Sequence, residues 1–172
     1  RQLAAAKDFE NFARIQLGQR FSELSESATR FVRESGHGNL LTLHDADYPV
    51  LLRETGHAPF ALFLQGDRKL LATETISLVG TREPSAGGRQ AAINLARHFA
   101  LAGKTIVSGI ARGVDALCHH AALDAGGATI AVLPNGFSHL YPLENRDIYE
   151  QARQGRRILL LSEYPPAQKP MK

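Results

Sequence analysis

The sequence predicts an α/β protein built on an open, doubly wound and mostly parallel sheet. Stretches at about 76–80, 105–108, 129–133 and 158–162 are nearly continuous in apolar character, which means burial on both faces, as in a parallel sheet sandwiched by helices. Between them, residues 85–101, 114–125 and about 144–154 have helical character and are followed by Gly103, Gly126-Gly127 and Gly155, where a C-terminal helix stop belongs. Strand, rim loop, helix and stop recur in that order. Right-handed crossovers then place a ligand crevice at the carboxyl ends of the strands.

Ahead of this repeat, residues 2–36 carry apolar positions at helical spacing, Phe9, Phe12 and Ile15, then Phe21, Leu24, Ala28, Phe31 and Val32. They predict two short helices packed as a hairpin, linked through Gly38-Asn39 to Leu40-Leu41-Thr42-Leu43. Asp45 to Pro49 has turn chemistry, and a short helix should begin at Tyr48-Pro49. Phe60 to Leu64 reads as a strand ended by Gly66-Asp67, and Arg68 to Ala72 as a helical turn or two. The expected organisation is a small helical segment over 1–40 followed by the sheet domain over 41–172.

Composition narrows the function classes. With 172 residues, 44% hydrophobic and 22% charged, the chain can build one well-cored globular domain plus a small accessory segment. The single cysteine, Cys118, excludes a disulfide framework and an ordinary structural zinc site, and points to a reducing cytoplasm. No apolar run reaches membrane-spanning length, so no membrane partner is expected. The net charge of +3 fits a nucleic-acid binder without requiring one. Placement matters more: Arg82 and Arg112 fall where strands hand over to loops, whereas Arg153, Arg156 and Arg157 read as a solvated helix end.

Two strand ends carry the chemistry. Ile76-Ser77-Leu78-Val79 finishes in Gly80-Thr81-Arg82, and Thr105-Ile106-Val107 finishes in Ser108-Gly109-Ile110-Ala111-Arg112-Gly113. Side by side in a parallel sheet, they bring backbone N–H groups, a helix N-terminus and two guanidinium forks to one rim, the outline of a phosphate site. Gly80 is expected to let a phosphate approach the backbone. The dinucleotide fingerprint, its ribose-binding acid and the P-loop lysine are all missing, which argues against NAD and against P-loop hydrolysis. Ser108, Asp115, His119 and His120 could be listed as a hydrolase triad, but Asp115 and His119 stand one helical turn apart, which favours a mutual hydrogen bond or capping of the helix start. Cys118 is expected to be a small buried residue. Tyr141-Pro142 and Asn145 follow the next strand, and Ser162-Glu163-Tyr164-Pro165 ends the last. Either tyrosine could stack a base; Tyr141 could equally pack a turn, and Asn145 cap the next helix or contact a ligand.

Val79-Gly80-Thr81-Arg82, Ser108-Gly109-Ile110-Ala111-Arg112-Gly113-Val114-Asp115-Ala116, His119, Gly127 to Leu133, Gly136, Tyr141-Pro142, Asn145 and Ser162-Glu163-Tyr164-Pro165 together resemble the DNA-processing protein A (DprA/Smf) family. Asp47-Tyr48-Pro49 and Phe63-Leu64-Gln65-Gly66 resemble the start of its Rossmann-like domain. The resemblance implies a Rossmann-like, partial sheet domain preceded by a small helical domain. It also implies a cytoplasmic protein that binds single-stranded DNA and delivers it to the RecA recombinase in natural transformation, a homodimer at full length, with no cofactor and no established catalysis. Gly80, Thr81, Arg82, Ser108, Gly109 and Arg112 would then line the pocket for the DNA backbone, with Ala111, Gly113, Tyr141 and Asn145 completing the site. The family continues past the Ser-Glu-x-Pro strand with a Phe-Pro-x-Arg-Asn-Arg segment that lies beyond Lys172, so the sheet is expected to be incomplete. Two other readings are a nucleoside-monophosphate phosphoribohydrolase of the "lonely guy" type and a nucleotide-sensing domain.

Overall fold

The computed structural model describes residues 26, 28–30, 32–34 and 39–170. The described residues of the first segment are helical, and Ala28 packs against the core. The rest of the predicted helical hairpin lies outside the described residues.

Six strands form one sheet: β1 (Leu40–Thr42), β2 (Ala61–Gly66), β3 (Thr75–Ser77), β4 (Thr105–Ser108), β5 (Ala128–Val132) and β6 (Ile158–Ser162). Their order is β1-β2-β6-β5-β4-β3. Strands β3 to β6 run parallel, β2 is added antiparallel beside β6, and β1 antiparallel beside β2. Four α-helices connect them, a single turn α1 (Val50–Arg53) and the longer α2 (Ala86–Leu101), α3 (Val114–Asp124) and α4 (Arg146–Arg153). Arg68–Ala72 and Leu143–Asn145 are short 3-10 turns. Each of the longer helices stops within two residues of the glycine that predicted its end.

Parallel register sorts the side chains into two rows. Ile106, Thr129 and Ile158 are paired across β4, β5 and β6 and share one face, and Val107, Ile130 and Leu159 share the other. The first face meets α2, α3 and α4. Ala92, Ala96 and Ala100 repeat every four residues along α2 and pack with Ile106 and with Cys118, Ala121 and Ala122 of α3. Their small volume lets the two helices lie close together. Phe63, Ala131, Ile158 and Leu160 pack under Ile148 and Tyr149 of α4. On the opposite face, Ile130 and Leu159 cluster with Leu41, Leu62 and Leu64 of β1 and β2 and with Tyr48 and Leu70. Cys118 is fully buried in the α2–α3 layer. Burial, with Asp115 nearby, pushes its thiol up to about 11, so it is a packing residue as expected.

Two elements depart from expectation at the rim that matters. The strand predicted over 76–80 leaves the ladder after Ser77: the Leu78 N–H still donates to the Val107 carbonyl at 2.9 Å. The Leu78 carbonyl, however, accepts from the Ser108 hydroxyl at 2.6 Å instead of from a ladder N–H. The helix predicted over 144–154 is a 3-10 turn followed by α4, because Asn145 turns its side chain away from the helix start to the carbonyls of Ile110 and Ala111.

Candidate nucleic-acid interface

The loops after β3 and β4 rest on each other through glycines. At Gly113, φ is +87° and ψ is −130°, a region that essentially only glycine occupies. A Cβ there would overlap the Thr81 carbonyl oxygen and lie 2.6 Å from the Arg82 carbonyl oxygen. The Thr81 carbonyl in turn accepts from the Val114 N–H at 3.1 Å, and the Thr81 hydroxyl accepts from the Glu83 N–H at 3.2 Å. Gly80, exposed on the rim, also has a packing role. A Cβ on it would sit 2.7 Å from Cγ2 of Val114, so packing against the first residue of α3 is what requires glycine here. This close contact brings Arg82 and Arg112 onto one stretch of the rim.

Ser108 and Gly109 lie behind that stretch. Expected to line the pocket, the Ser108 side chain is instead 2% exposed, with its hydroxyl used on Leu78. A Cβ on Gly109 would come within 2.5 Å of Asp115 Oδ2. That carboxylate accepts from the Ala111 N–H at 3.3 Å and occupies the start of α3 with its own negative charge. The helix start is thus occupied from within, and the exposed cations on this stretch of the rim are the guanidinium groups of Arg82 and Arg112.

The listing of Ser108, Asp115 and His119 as a triad fails on geometry. His119 is fully buried, with Nε2 2.6 Å from the Gly109 carbonyl and Nδ1 2.6 Å from the Thr129 hydroxyl. Nε2 can only donate to the Gly109 carbonyl, and Nδ1 is taken by the Thr129 hydroxyl, which also donates to the Ile106 carbonyl at 2.8 Å, so no nitrogen is left for a nucleophile. Burial lowers the His119 pKa below its ordinary 6.5, opposed by the Gly109 hydrogen bond and the Asp115 charge. The folded protein thus keeps this imidazole neutral where the unfolded chain would protonate. Stability should be unaffected above about pH 6.5 and should decline as pH falls through it. Thermal melts from pH 8 to 5 should show that decline in wild type and a shallower one in His119→Gln.

Two cavities open at the rim. The first, about 330 Å³, is lined by Arg82, Ala111, Arg112, Tyr141, Leu143 and Glu144, with Pro142 beside them. Tyr141 is 49% exposed, and its carbonyl is held by the Tyr149 hydroxyl at 3.0 Å. The ring therefore offers a face to solvent while its backbone is anchored to α4. The second cavity, about 290 Å³, shares Arg82 and Arg112 with the first and adds Arg89, Gly113, His120 and Asn145. Asn145 is 4% exposed and donates to the carbonyls of Ile110 and Ala111 at 2.8 and 3.2 Å, which ties the β4 loop to α4. Arg112 pairs with Glu83 at 3.7 Å, both side chains largely exposed, so the pair is weak and readily exchanged for another anion.

Tyr164 lines neither cavity, contrary to expectation. Its N–H donates to the Ser162 hydroxyl, and that hydroxyl donates to the Asn135 carbonyl, which turns the chain away after β6. Sequence reasoning missed Leu143, Glu144 and His120 as lining residues and left Arg89 without a role. Leu143 and Glu144 lie between the two positions that were singled out, Tyr141 and Asn145, and that adjacency was the available signal. Among the described residues no cluster of His, Cys, Asp or Glu could hold a metal ion. No helix among them is long and apolar enough to cross a membrane.

Residues 39–172 match the family model described as DNA recombination-mediator protein A. The chain is 39% identical over 141 residues to the DNA processing protein DprA of Bacillus subtilis, an alignment covering 81% of this chain and 46% of that protein. It is 38% identical to Protein Smf of Synechocystis over 82% of this chain and 36% of the relative. The chain thus spans less than half the length of these relatives. The crystal structure of DprA from Streptococcus pneumoniae superposes with a TM-score of 0.73 at 34% identity, over 84% of this chain and 50% of that one. DNA processing protein A from Helicobacter pylori, described for its single-stranded DNA binding mode, superposes with a TM-score of 0.66 at 34% identity, over 79% and 60% of the two chains. With a glycine-packed pair of arginine loops on a Rossmann-like sheet, and with these matches over most of its length, the chain belongs to the DNA recombination-mediator protein A (DprA/Smf) family.

Proposed function

We propose that this chain binds single-stranded DNA at the rim of β3, β4 and β5, with Arg82 and Arg112 on the phosphates and a base on Tyr141. The observation that carries the reading is the first cavity, where two exposed guanidinium groups and a half-exposed aromatic ring anchored through its backbone surround one concave space. Guanidinium forks suit backbone phosphates, and an exposed ring needs an unstacked base, which a duplex does not offer. The single-stranded DNA binding of the Helicobacter pylori relative supports the same assignment. Ala111 joins the contact surface, while Gly80, Thr81, Ser108, Gly109, Gly113 and Asn145 hold the two loops in place. In the full-length protein, with residues 1–40 ahead of the sheet domain over 41–172, this module would work as a cytoplasmic dimer. That dimer would protect incoming strands and hand them to RecA without a catalytic step.

Fluorescence anisotropy with a labelled oligonucleotide tests the binding. Single strands should bind more tightly than a duplex of the same sequence, and log affinity should fall linearly with log salt as counterions are released. Salt-independent binding, or tight mononucleotide binding that oligonucleotides do not displace, would overturn it. Release of free base from AMP would move the reading to an enzyme.

A further inference from the structure

The second cavity has no place in a one-phosphate reading of the rim. It shares Arg82 and Arg112 with the first cavity and continues past them to Arg89 on the first turn of α2 and His120 on α3. No carboxylate lines it, whereas Glu144 lines the first. Three guanidinium groups and an imidazole therefore surround about 290 Å³, enough for a phosphate with part of its hydration.

We propose that this cavity is a second phosphate subsite for the same strand, with Arg89 as the cation it adds to Arg82 and Arg112 and His120 on its wall. The inference rests on the single-stranded DNA reading above and extends it. The strand runs across the Arg82–Arg112 bridge, with a base on Tyr141 on one side and the neighbouring phosphate against Arg89 and His120 on the other. Several charged groups surround His120. Asp147 of α4 lies 3.6 Å from its Nδ1, the arginines at positions 82, 89 and 112 approach from the two loops and α2, and Asp124 lies one turn along its own helix.

The test uses the same anisotropy assay over a salt series, with wild type, Arg89→Gln and Arg82→Ala. Loss of one phosphate contact in Arg89→Gln should lower the magnitude of the salt slope by about 0.7, the value for one phosphate of a single strand. Wild-type binding that depends on Arg82 but has the same slope in Arg89→Gln would overturn the second subsite and leave the first reading intact. Absence of Arg82-dependent binding would overturn both. Circular dichroism of each variant separates these outcomes from misfolding.

Discussion

Arg82→Ala is expected to weaken single-stranded DNA binding by about ten- to a hundredfold, since a hydrogen bond to a charged group contributes about 1.5–3 kcal/mol and about 1.4 kcal/mol is a factor of ten. Arg82 lines both cavities, so its loss removes a shared cation rather than one edge of the site. Its side chain is exposed, so the melting temperature should hardly change. Arg82→Lys should recover only part of the affinity, because an ammonium keeps the charge but not the planar fork. Glu83→Ala is the informative companion. Glu83 pairs with Arg112 at 3.7 Å, and freeing that guanidinium should hold affinity level or raise it. If Arg82→Ala binds like wild type over the whole salt range, the rim is not the DNA site.

Gly113→Ala should cost about 2–4 kcal/mol in urea denaturation, combining backbone strain with the clash of the new Cβ. Gly126→Ala provides the control. That glycine also has positive φ, +73°, but nothing lies within 4 Å of its would-be Cβ, so it should lose only the left-handed penalty of about 1 kcal/mol. The two should differ in function as well. In Gly113→Ala the Thr81–Arg82 backbone must move to clear the Cβ, so DNA affinity should drop even where the protein remains folded. Gly126 lies behind α3 at the far end of the helix, and its variant should bind normally. Equal stability and equal affinity in the two variants would show that the contact between the loops does not set the position of Arg82.

Much of the sheet was legible because its signals are local. Residues 105–108 and 158–162 read as strands from apolar runs alone and form β4 and β6 over those same spans. The ends of α2, α3 and α4 were legible from their glycines for the same reason. The antiparallel attachment of β2 beside β6, with β1 beside β2, was not, because strand order depends on pairing between residues about a hundred positions apart. At the rim, Arg82, Arg112 and Tyr141 were identified from their place at strand ends. Ser108 reads as a pocket residue from the family motif it stands in, but its hydroxyl is used on the Leu78 carbonyl. That partner, and the Val114 side chain that packs on Gly80, come from other elements and carry no mark in the local sequence.

The succession of strands and helices along the chain from β3 onward, the residue types at the strand ends and the family were determined by the sequence itself, since periodicity, helix stops and motif spacing are written along the chain. The tertiary structure decided which of those residues face solvent. Contact between the two loops at Gly113 turns Arg82 and Arg112 outward together, Asp115 takes the helix N-terminus for the protein's own backbone, and Arg89 and His120 join the cationic wall from separate helices. The physical reason is that a side chain's role depends on which partner satisfies it first. For buried polar groups such as Ser108, His119 and Asn145, that partner is supplied by the fold.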